Sequence, residues 1–475
     1  MISTNETAST ALRLAAHHSL VVLPFRYRGR GAQIAKLEQS PRWIPREYDP
    51  SERIDSERVA YFLPYIRGFF FPLATDSKRG CRHYRLRPEA LGLSAGEKLR
   101  GQLHGADNID NARFVADLRL QSVELLLSPF EVGFLILDFR CESPLASFEE
   151  QMKALGMLRQ LEPLYLGQPL PIFETPTHKL HMRQWVSHFL LEFGPTQPGL
   201  HAPLPTLLNA TDPLPVELLY GDRMLYYAFS CLDKQTAFEE VQPNEVLIRK
   251  CAMLTFDDET REAAKNAREK GLRNWLFVRW QGFVKEGSQL VAFNNEPFDE
   301  TYLAEYHRTY YFDVFLLAML QRVTLLLLYE RLADIPSLTS GGRRSRRILR
   351  RLRHDLLAFR NQCCFSQITL KERGLYLWRR WQGALENETL LKEVTDQAQE
   401  LDQYLQAQNR ERMEWVVRIS GALATVVPAI LGLNAILGDE EWVARLKWGL
   451  LALVVVIAGI ATSVVLFAKP RFDQN

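Results

Sequence analysis

The sequence has no excess of charge of either sign and contains little cysteine. Its 475 residues include 58 Lys and Arg against 56 Asp and Glu. This balance argues against a protein that binds nucleic acid through bulk positive charge, so we expect no direct nucleic-acid binding. The six cysteines form no Cys-x-x-Cys pair and no spacing typical of a zinc site, which indicates reduced thiols in an intracellular domain.

Sequence signatures of catalysis are also missing. The chain contains no P-loop, nucleophile elbow, glycine-rich dinucleotide loop or pair of carboxylates at catalytic spacing. We therefore do not expect an enzyme. Residues 1–19 are polar and lack the basic and then apolar pattern of a secretory signal, so the N-terminus is expected in the cytoplasm.

Long apolar runs are few, and two of them lie towards the C-terminal end. Ile419–Leu437 and Trp448–Ala468 carry no charge. At about 1.5 Å per residue, each is long enough to cross a hydrocarbon core of about 30 Å. Basic residues flank both inner ends: Arg410, Arg412 and Arg418 precede the first run, and Lys469 and Arg471 follow the second. The positive-inside rule therefore predicts a multi-pass protein of the inner (cytoplasmic) membrane with both termini in the cytoplasm.

A third apolar run, Val314–Tyr329, is predicted to be a helix buried in the soluble part. Gln321 and Arg322 interrupt it at its centre, and it is too short to cross a bilayer. It belongs to a region with helical periodicity, in which Tyr302–Ala333 and Arg343–Arg360 are each predicted to form one helix.

The first part of the chain mixes strand and helix patterns. The stretch "SVELLLSPFEVGFLILDF" at Ser122–Phe139 predicts a β-hairpin that turns at Ser128-Pro129, and further strands are expected near residues 20 and 225. The predicted fold class is an α/β cytoplasmic domain followed by a long helical stalk and two C-terminal transmembrane helices. The predicted divisions are an α/β sensor domain at 1–300, a helical region with the stalk at 301–415, the membrane helices with a short acidic outer loop at 416–468, and a basic tail at 469–475.

A heptad-like pattern predicts the stalk helix. Its apolar positions are spaced by 3, 4, 3 and 4 residues: Leu391, Val394, Ala398, Leu401 and Leu405. Since no Pro or Gly interrupts Ala384–Ser420, one helix is expected from Glu386 to Leu437, with a length on the order of 75 Å. A lone helix of this length would expose its apolar positions, so we expect copies of the chain to pack around a common axis as a homo-oligomer.

This arrangement resembles the CorA family of metal-ion transporters over about the last 170 residues. Met413, Pro428 and the basic tail Lys469-Pro470-Arg471 lie where the family has similar features. The resemblance implies a funnel-shaped homopentamer in which the first span lines the pore and a Gly-Met-Asn signature holds a hydrated magnesium ion. The nearest triplet here is Gly432-Leu433-Asn434, which lacks the methionine and lies only four residues after Pro428.

The sequence is also similar to CorA-like membrane proteins of type III CRISPR loci, which have an enlarged N-terminal region and an altered signature. That resemblance implies an effector of bacterial antiphage defence that responds to a nucleotide messenger, an adduct of S-adenosylmethionine and AMP. Two main functions therefore stay open, besides that of a non-conducting receptor tethered to the membrane. One is a channel that moves Mg²⁺ or another divalent cation under the control of its cytoplasmic domain, and the other is a membrane effector gated by a nucleotide.

Two groups of residues are predicted along the ion path. The first group shares one face of the first span and would line a narrow pore, together with a following asparagine: Gly421, Thr425, Pro428, Gly432 and Asn434. Close packing of helices through small residues is the alternative for this face. The second group, Asp439, Glu440 and Glu441, would form a carboxylate ring that attracts cations at the outer mouth, or else a solvated turn.

Two further groups are predicted as ligand sites in the cytoplasmic part. An arginine-rich stretch follows a Gly-Gly pair and suits a phosphate-bearing ligand, with anionic lipid, an acidic partner helix or a solvated face as alternatives: Arg343, Arg344, Arg346, Arg347, Arg350 and Arg351. The family resemblance implies a regulatory divalent ion at Asp257 and Asp258, for which an acidic helix N-terminus is the alternative.

Overall fold

The computed structural model describes residues 13–49, 51–71, 80–106, 113–142, 147–163, 169–194, 214–233, 273–274, 279–293, 298–333, 343–432 and 448–449. The chain divides into two compact units. The first comprises Met1–Leu326 with Asn361–Leu390, and the second comprises Leu327–Arg360 with Leu391–Asn475.

The first unit is built on a 13-stranded sheet. Its strands are β1 (Leu14–Arg26), β2 (Trp43–Pro45), β3 (Arg82–Leu86), β4 (Leu99–Ala106), β5 (Arg113–Leu127), β6 (Val132–Cys141), β7 (Ile172–Glu174), β8 (Lys179–His181), β9 (Glu217–Leu218), β10 (Leu225–Leu232), β11 (Arg273–Asn274), β12 (Arg279–Val284) and β13 (Gly287–Phe293). The main order is β11-β12-β13-β10-β1-β6-β5-β4-β7-β8, while β3 pairs with β2 and β5, and β9 pairs with β1. The pair β10–β13 is parallel, and the other described pairs are antiparallel.

The helices of both units follow in chain order. They are α1 (Arg30–Gln39), α2 (Arg53–Ala60), α3 (Pro64–Phe70), α4 (Phe148–Leu158), α5 (Met182–Phe189), α6 (Ala304–Arg308), α7 (Tyr310–Ala333), α8 (Arg343–Cys363), α9 (Glu372–Leu385) and α10 (Asn387–Gly432). Short 3-10 turns lie at Pro88–Leu91 and Leu191–Phe193, and a π turn lies at Asp299–Leu303. An α/β sheet domain with additional helices, the coarse form of the predicted fold class, is thus confirmed.

The predicted hairpin is present as β5 and β6. Its turn closes where Ser128 N donates to Val132 O at 2.9 Å, with Glu131 in the left-handed region at φ 63°. The strands expected near residues 20 and 225 are β1 and β10, and they are neighbours in the sheet. These strands were predictable because a short, continuous apolar run is a local property of the sequence, and both strands are buried on both faces.

The two faces of the sheet differ in chemistry. On β6, Leu135, Leu137 and Phe139 point into an apolar core that α1, α4 and α5 complete from their side of the sheet. Asp138 and Arg140 alternate with them and therefore lie on the second face. Side chains of successive strand residues point to opposite faces, so one strand serves both an apolar core and a charged surface.

Helices α6 and α7 cover only part of this second face. His307 of α6 stacks on Tyr227 of β10 with ring centroids 4.1 Å apart, and Phe315 of α7 lies 5.1 Å from the same ring. The cover thus lies over β10, and His307 also contacts His18 of β1 at 3.0 Å. Farther along the sheet, at β4 and β5, second-face residues such as Arg100 and Asp117 are exposed.

Helix α7 contains the apolar run that was predicted to be buried, and the prediction is confirmed. Asp299–Ala333 is long and apolar enough to cross a membrane, but 89% of its most apolar stretch is buried inside the protein. The two residues that interrupt the run tie it to other elements of the first unit. Gln321 Nε2 donates to the carbonyl of Cys363 at 2.5 Å, and Arg322 donates to the carbonyl of Leu385.

The region predicted as one helix at Tyr302–Ala333 is helical, with one interruption. Thr309, with φ −105° and ψ −106°, separates α6 from α7. Its hydroxyl bonds back to the carbonyl of Glu305 at 2.8 Å. The break has a tertiary cause: α6 must place His307 against the sheet, while α7 must place Asp313 against Arg58.

Helix α10 confirms the predicted long helix as far as it is described. It runs for 46 residues, which corresponds to about 69 Å. It begins directly after Glu386, whose φ of 53° ends α9 in the left-handed region. At that start, Asn387 Nδ2 donates to the carbonyl of Ala318 at 3.0 Å, which fixes the helix end to α7. Residues 433–447 and 450–475, with most of the two predicted spans, lie outside the described part of the chain.

The predicted apolar positions of α10 are partly covered within one chain. Val394 and Ala398 are 1% and 3% exposed. Helix α8 lies beside them, because Arg353 of α8 forms an ion pair with Asp402 of α10 at 2.5 Å and Leu352 of α8 is buried. The premise that this helix exposes its apolar positions in a single chain is therefore wrong for its first part. The homo-oligomer remains a prediction.

Candidate functional site

The predicted pore residues are described only in part. Gly421, Thr425, Pro428 and Gly432 all lie on α10, at spacings that place them on one helix face. Since proline has no N–H, Pro428 leaves the carbonyl of Ala424 without its helical donor, and such a carbonyl is a ligand that a passing cation can use. Asn434, the acidic group Asp439, Glu440 and Glu441, and the pair Asp257 and Asp258 lie outside the described residues, so their roles stay predictions.

The arginine-rich stretch forms the first half of α8, as the predicted helix required. The helix is amphipathic: Leu349, Leu352 and Leu356 are buried, whereas Arg347, Arg350 and Arg351 are exposed. The backbone of Arg343, Arg344 and Arg346 belongs to the same helix. A solvated face accounts for the described arginines, and binding of a phosphate or of lipid by this stretch stays a prediction.

A network of buried charges lies on the second face of the sheet, where sequence patterns did not indicate one. Arg58 of α2 and Asp313 of α7 form a two-pronged ion pair with side chains only 5% and 0% exposed. Arg46, which follows β2, donates to Glu124 of β5 at 2.7 Å, and Arg85 of β3 approaches the same carboxylate at 3.3 Å. Buried charges are stable only when paired in this way.

The network sets the protonation of its members. Burial opposes ionisation of Glu124, but Arg46, Arg85 and Arg58 outweigh it and hold the pKa of its carboxyl at about 2. Burial lowers the pKa of His83 to about 3, and the positive charge of Arg46 acts in the same direction. The carboxylate is thus charged and the imidazole neutral at pH 7, so each keeps one fixed electrostatic role.

Beside this network, the second face carries an arginine row across three adjacent strands. The β4–β5 register places Arg100 directly opposite Arg119, and the β5–β6 register places Arg119 directly opposite Arg140. Neighbouring strands are about 4.8 Å apart, so the three backbone positions span about 10 Å. Like charges directly opposite each other on one face repel and destabilise a sheet. The row therefore requires a counter-charge.

A single carboxylate partly supplies this counter-charge. Glu142 Oε1 lies 3.2 Å from Arg100 Nε and 3.1 Å from Arg119 Nε. Arg140 forms no described ion pair with Glu142, and its largest electrostatic attraction is to Asp138. Its buried Nε, like that of Arg119, makes no hydrogen bond to any described residue. One oxygen thus bridges two of the three guanidinium groups, and the third lies beyond its reach.

Two further cations extend the row into a basic face. We use this name for Lys98, Arg100, Arg119, Arg140 and Arg308. Arg308 of α6 forms an ion pair with Asp138 at 2.5 Å. Burial and then the charges of Arg85 and Arg308 lower the pKa of Lys98, and burial likewise lowers the pKa of Arg140, where Arg308 and Arg119 add to the effect. Burial is the larger cause of both shifts, and the neighbouring arginines add a smaller effect in the same direction, while Asp138 opposes it at Arg140.

The charges of the basic face do not cancel. Among the residues that the structure describes, these five cations lie beside three carboxylates, Asp117, Asp138 and Glu142, and Asp117 is already bonded by Gln102 at 2.9 Å. Glu124 and Glu174 lie on the same face but are paired with Arg46 and Lys179. The cations lie at intermediate or exposed positions, with the side chain of Arg100 69% exposed. An anion from solution can therefore reach the row, and its chemistry is that of guanidinium forks, which suit phosphate oxygens.

Sequence reasoning missed this site for a specific reason. In the sequence, alternating charged residues such as Lys98 and Arg100 are typical of any solvated strand face. Their convergence with Arg119 and Arg140 depends on the registers of two strand pairs, which the sequence does not state. The available signal was one arginine in each of three successive strand segments, and only the pairing makes them neighbours.

No group of three or more His, Cys, Asp or Glu side chains suited to a metal ion occurs among the residues that the structure describes. Comparison of the chain with protein-family models, curated proteins and solved structures finds no match.

Proposed function

We propose that the chain forms a homo-oligomeric, pentameric CorA-like channel of the inner membrane, in which the α/β domain controls the passage of cations, with Mg²⁺ or another divalent ion as cargo. The observation that supports this most directly is the continuity of α10. One helix begins in contact with α7 of the sheet-containing unit and continues through the first 14 residues of the predicted first span, Ile419–Gly432.

The start of α10 is firmly held. Besides the bond of Asn387 to α7, Lys285 of the β12–β13 turn forms an ion pair at 2.6 Å with Glu386, the residue before the helix. A helix anchored at one end to a packed domain transmits displacement along its axis, because its internal hydrogen bonds resist bending. In the proposed channel, a change in the domain alters the pore face formed by Gly421, Thr425 and Pro428.

A second proposed function is that of a membrane effector that a nucleotide messenger gates, as in antiphage defence. The excess positive charge of the basic face favours this second function, because a positively charged surface of the sheet domain suits a phosphate group and not a metal cation. Both proposals use the same helix and the same pore, and they differ in which ligand opens it.

Flux measurements on the reconstituted full-length protein test the shared part of both proposals. Wild-type protein in liposomes should let Mg²⁺ or a monovalent cation pass, as read by entrapped indicator dyes. Gln403 is exposed near the middle of α10, so Gln403→Pro should break the helix and uncouple flux from any ligand, whereas Gln403→Ala should not. Proline inside a helix costs about 3 kcal/mol or more. Liposomes that stay impermeable to all tested cations, with and without nucleotides, would exclude a channel.

A further inference from the structure

We infer that the arginine row, Arg100, Arg119 and Arg140, is a binding site for a small ligand that carries two or more phosphate groups. The inference rests on the nucleotide-gated form of the proposed function, places the ligand site on the sheet rather than on α8, and favours a messenger with several phosphates over an adduct of S-adenosylmethionine and AMP, which carries one.

The length of the row matches the ligand class. Three arginines whose backbone positions span about 10 Å, two of them close enough to share one oxygen, can engage neighbouring phosphates of a polyphosphate chain or two neighbouring phosphate esters. A single carboxylate or sulfate would engage only one or two of them. A long nucleic acid is a poorer fit, because exposed acidic residues, Asp117 and Glu142 among them, interrupt the surface on which its backbone would have to lie.

The position of Glu142 marks where an anion is stable. Its oxygen already lies between the Nε atoms of Arg100 and Arg119 at 3.2 and 3.1 Å. A phosphate carries more charge and more acceptor oxygens than a carboxylate, so it competes for the same donors. The Glu142 side chain is 22% exposed and can turn away into solvent when a ligand enters. It therefore acts as an internal competitor that excludes weakly charged anions.

The sheet holds the backbone positions of the three arginines fixed before a ligand binds, which a flexible surface segment would not do. The three residues stand on adjacent strands of one sheet. Arg140 also has a buried Nε with no hydrogen-bond partner in the described part of the chain, and a ligand oxygen would satisfy it. By contrast, Arg347, Arg350 and Arg351 on α8 are exposed side chains on a single helix.

Calorimetric titration of the full-length, detergent-solubilised protein tests the site, with inorganic tripolyphosphate and ATP as probes. Wild-type protein should bind both. Since each charge-assisted hydrogen bond contributes about 1.5–3 kcal/mol, Arg119→Gln should weaken binding by about tenfold or more. Glu142→Gln should strengthen binding, because it removes the competing charge. A defect in folding cannot explain opposite changes in the two variants.

A matched control uses the other arginine cluster. The triple variant Arg347→Gln, Arg350→Gln and Arg351→Gln removes as many charges as Arg100→Gln, Arg119→Gln and Arg140→Gln, but from α8. Only the variant of the arginine row, Arg100→Gln, Arg119→Gln and Arg140→Gln, should lose binding of the two probes. The inference would be overturned if both triple variants lost equal affinity for the probes, or if the row variant bound them unchanged. It would also be overturned if the wild type bound neither probe. Because calorimetry measures binding and not flux, this outcome is separate from that of the liposome test.

Discussion

Removing one partner of the buried ion pair between Arg58 and Asp313 should destabilise the sheet domain more than removing one partner of an exposed salt bridge. The side chains of this buried pair are 5% and 0% exposed, and two nitrogens of the guanidinium bond to the two carboxylate oxygens. Burial opposes the charge on Arg58, but Asp313 outweighs it and raises the pKa of the guanidinium. Asp313→Asn therefore leaves a charged, buried Arg58 without its counter-ion, which typically costs about 3–5 kcal/mol.

Urea unfolding of the detergent-solubilised protein, followed by tryptophan fluorescence, measures this loss. Replacing both partners with apolar residues, Arg58→Met and Asp313→Leu, should destabilise less than Asp313→Asn alone, because no buried charge remains. The matched control is Glu57→Gln on the same helix, since its pair with Arg53 is 44% and 54% exposed and should leave the midpoint unchanged. A loss below about 1 kcal/mol for Asp313→Asn would refute the reasoning.

Three further predictions follow from other parts of the chain. Detergent-purified protein should have a mass several times 54.8 kDa, and Leu401→Asp should dissociate or aggregate it, so a monomeric wild type at micromolar concentration would contradict the oligomer. Neutralising Asp439, Glu440 and Glu441 together should reduce cation flux, most strongly at low ionic strength. Asn434→Ala should have little effect on flux if the Gly432-Leu433-Asn434 triplet is not a filter. Complete loss of Mg²⁺ transport in Asn434→Ala would identify the triplet as the filter. Burial lowers the pKa of His307 from 6.5 to about 3, so the unfolded chain takes up a proton first as pH falls through 6.5, and His307 should account for about 2 kcal/mol of the stability lost between pH 7 and pH 5. The other buried histidines with lowered pKa values add to this loss. His307→Gln should reduce the pH dependence in urea unfolding by its own share, and an unchanged slope would assign the acid sensitivity to the other groups.

The parts of the fold that were predictable share one property: their signal lies within a few consecutive residues. The hairpin at Ser128-Pro129 has an alternating apolar pattern on each side and a turn between them. The buried helix α7 and the long helix α10 have apolar periodicities that extend over several turns. For such elements, the local pattern and the tertiary environment require the same structure, so the sequence is sufficient.

The parts that were not predictable depend on contacts between distant segments. The break at Thr309 exists because His307 and Asp313 bind different partners, and helix propensity gives no sign of it. The coverage of Val394 and Ala398 by α8 likewise requires a helix that lies some forty residues earlier in the chain. The arginine row is the clearest example, because Arg100, Arg119 and Arg140 become neighbours only through two strand registers.

The contrast between the two arginine clusters follows from their surroundings rather than from their number of charges. Two unit charges 4 Å apart interact with about 1 kcal/mol in water but about 4 kcal/mol at the effective dielectric constant of about 20 near a protein surface. The exposed arginines of α8 lie in water, where the interaction is weak. Salt weakens it further at separations beyond the Debye length, which is about 8 Å at physiological ionic strength. Arg119 and Arg140 are half-buried on a rigid sheet, where the stronger interaction applies. For the same increase in salt concentration, a ligand that binds the arginine row should lose less affinity than one that binds α8. The salt dependence of binding to the wild-type protein can therefore distinguish the two sites.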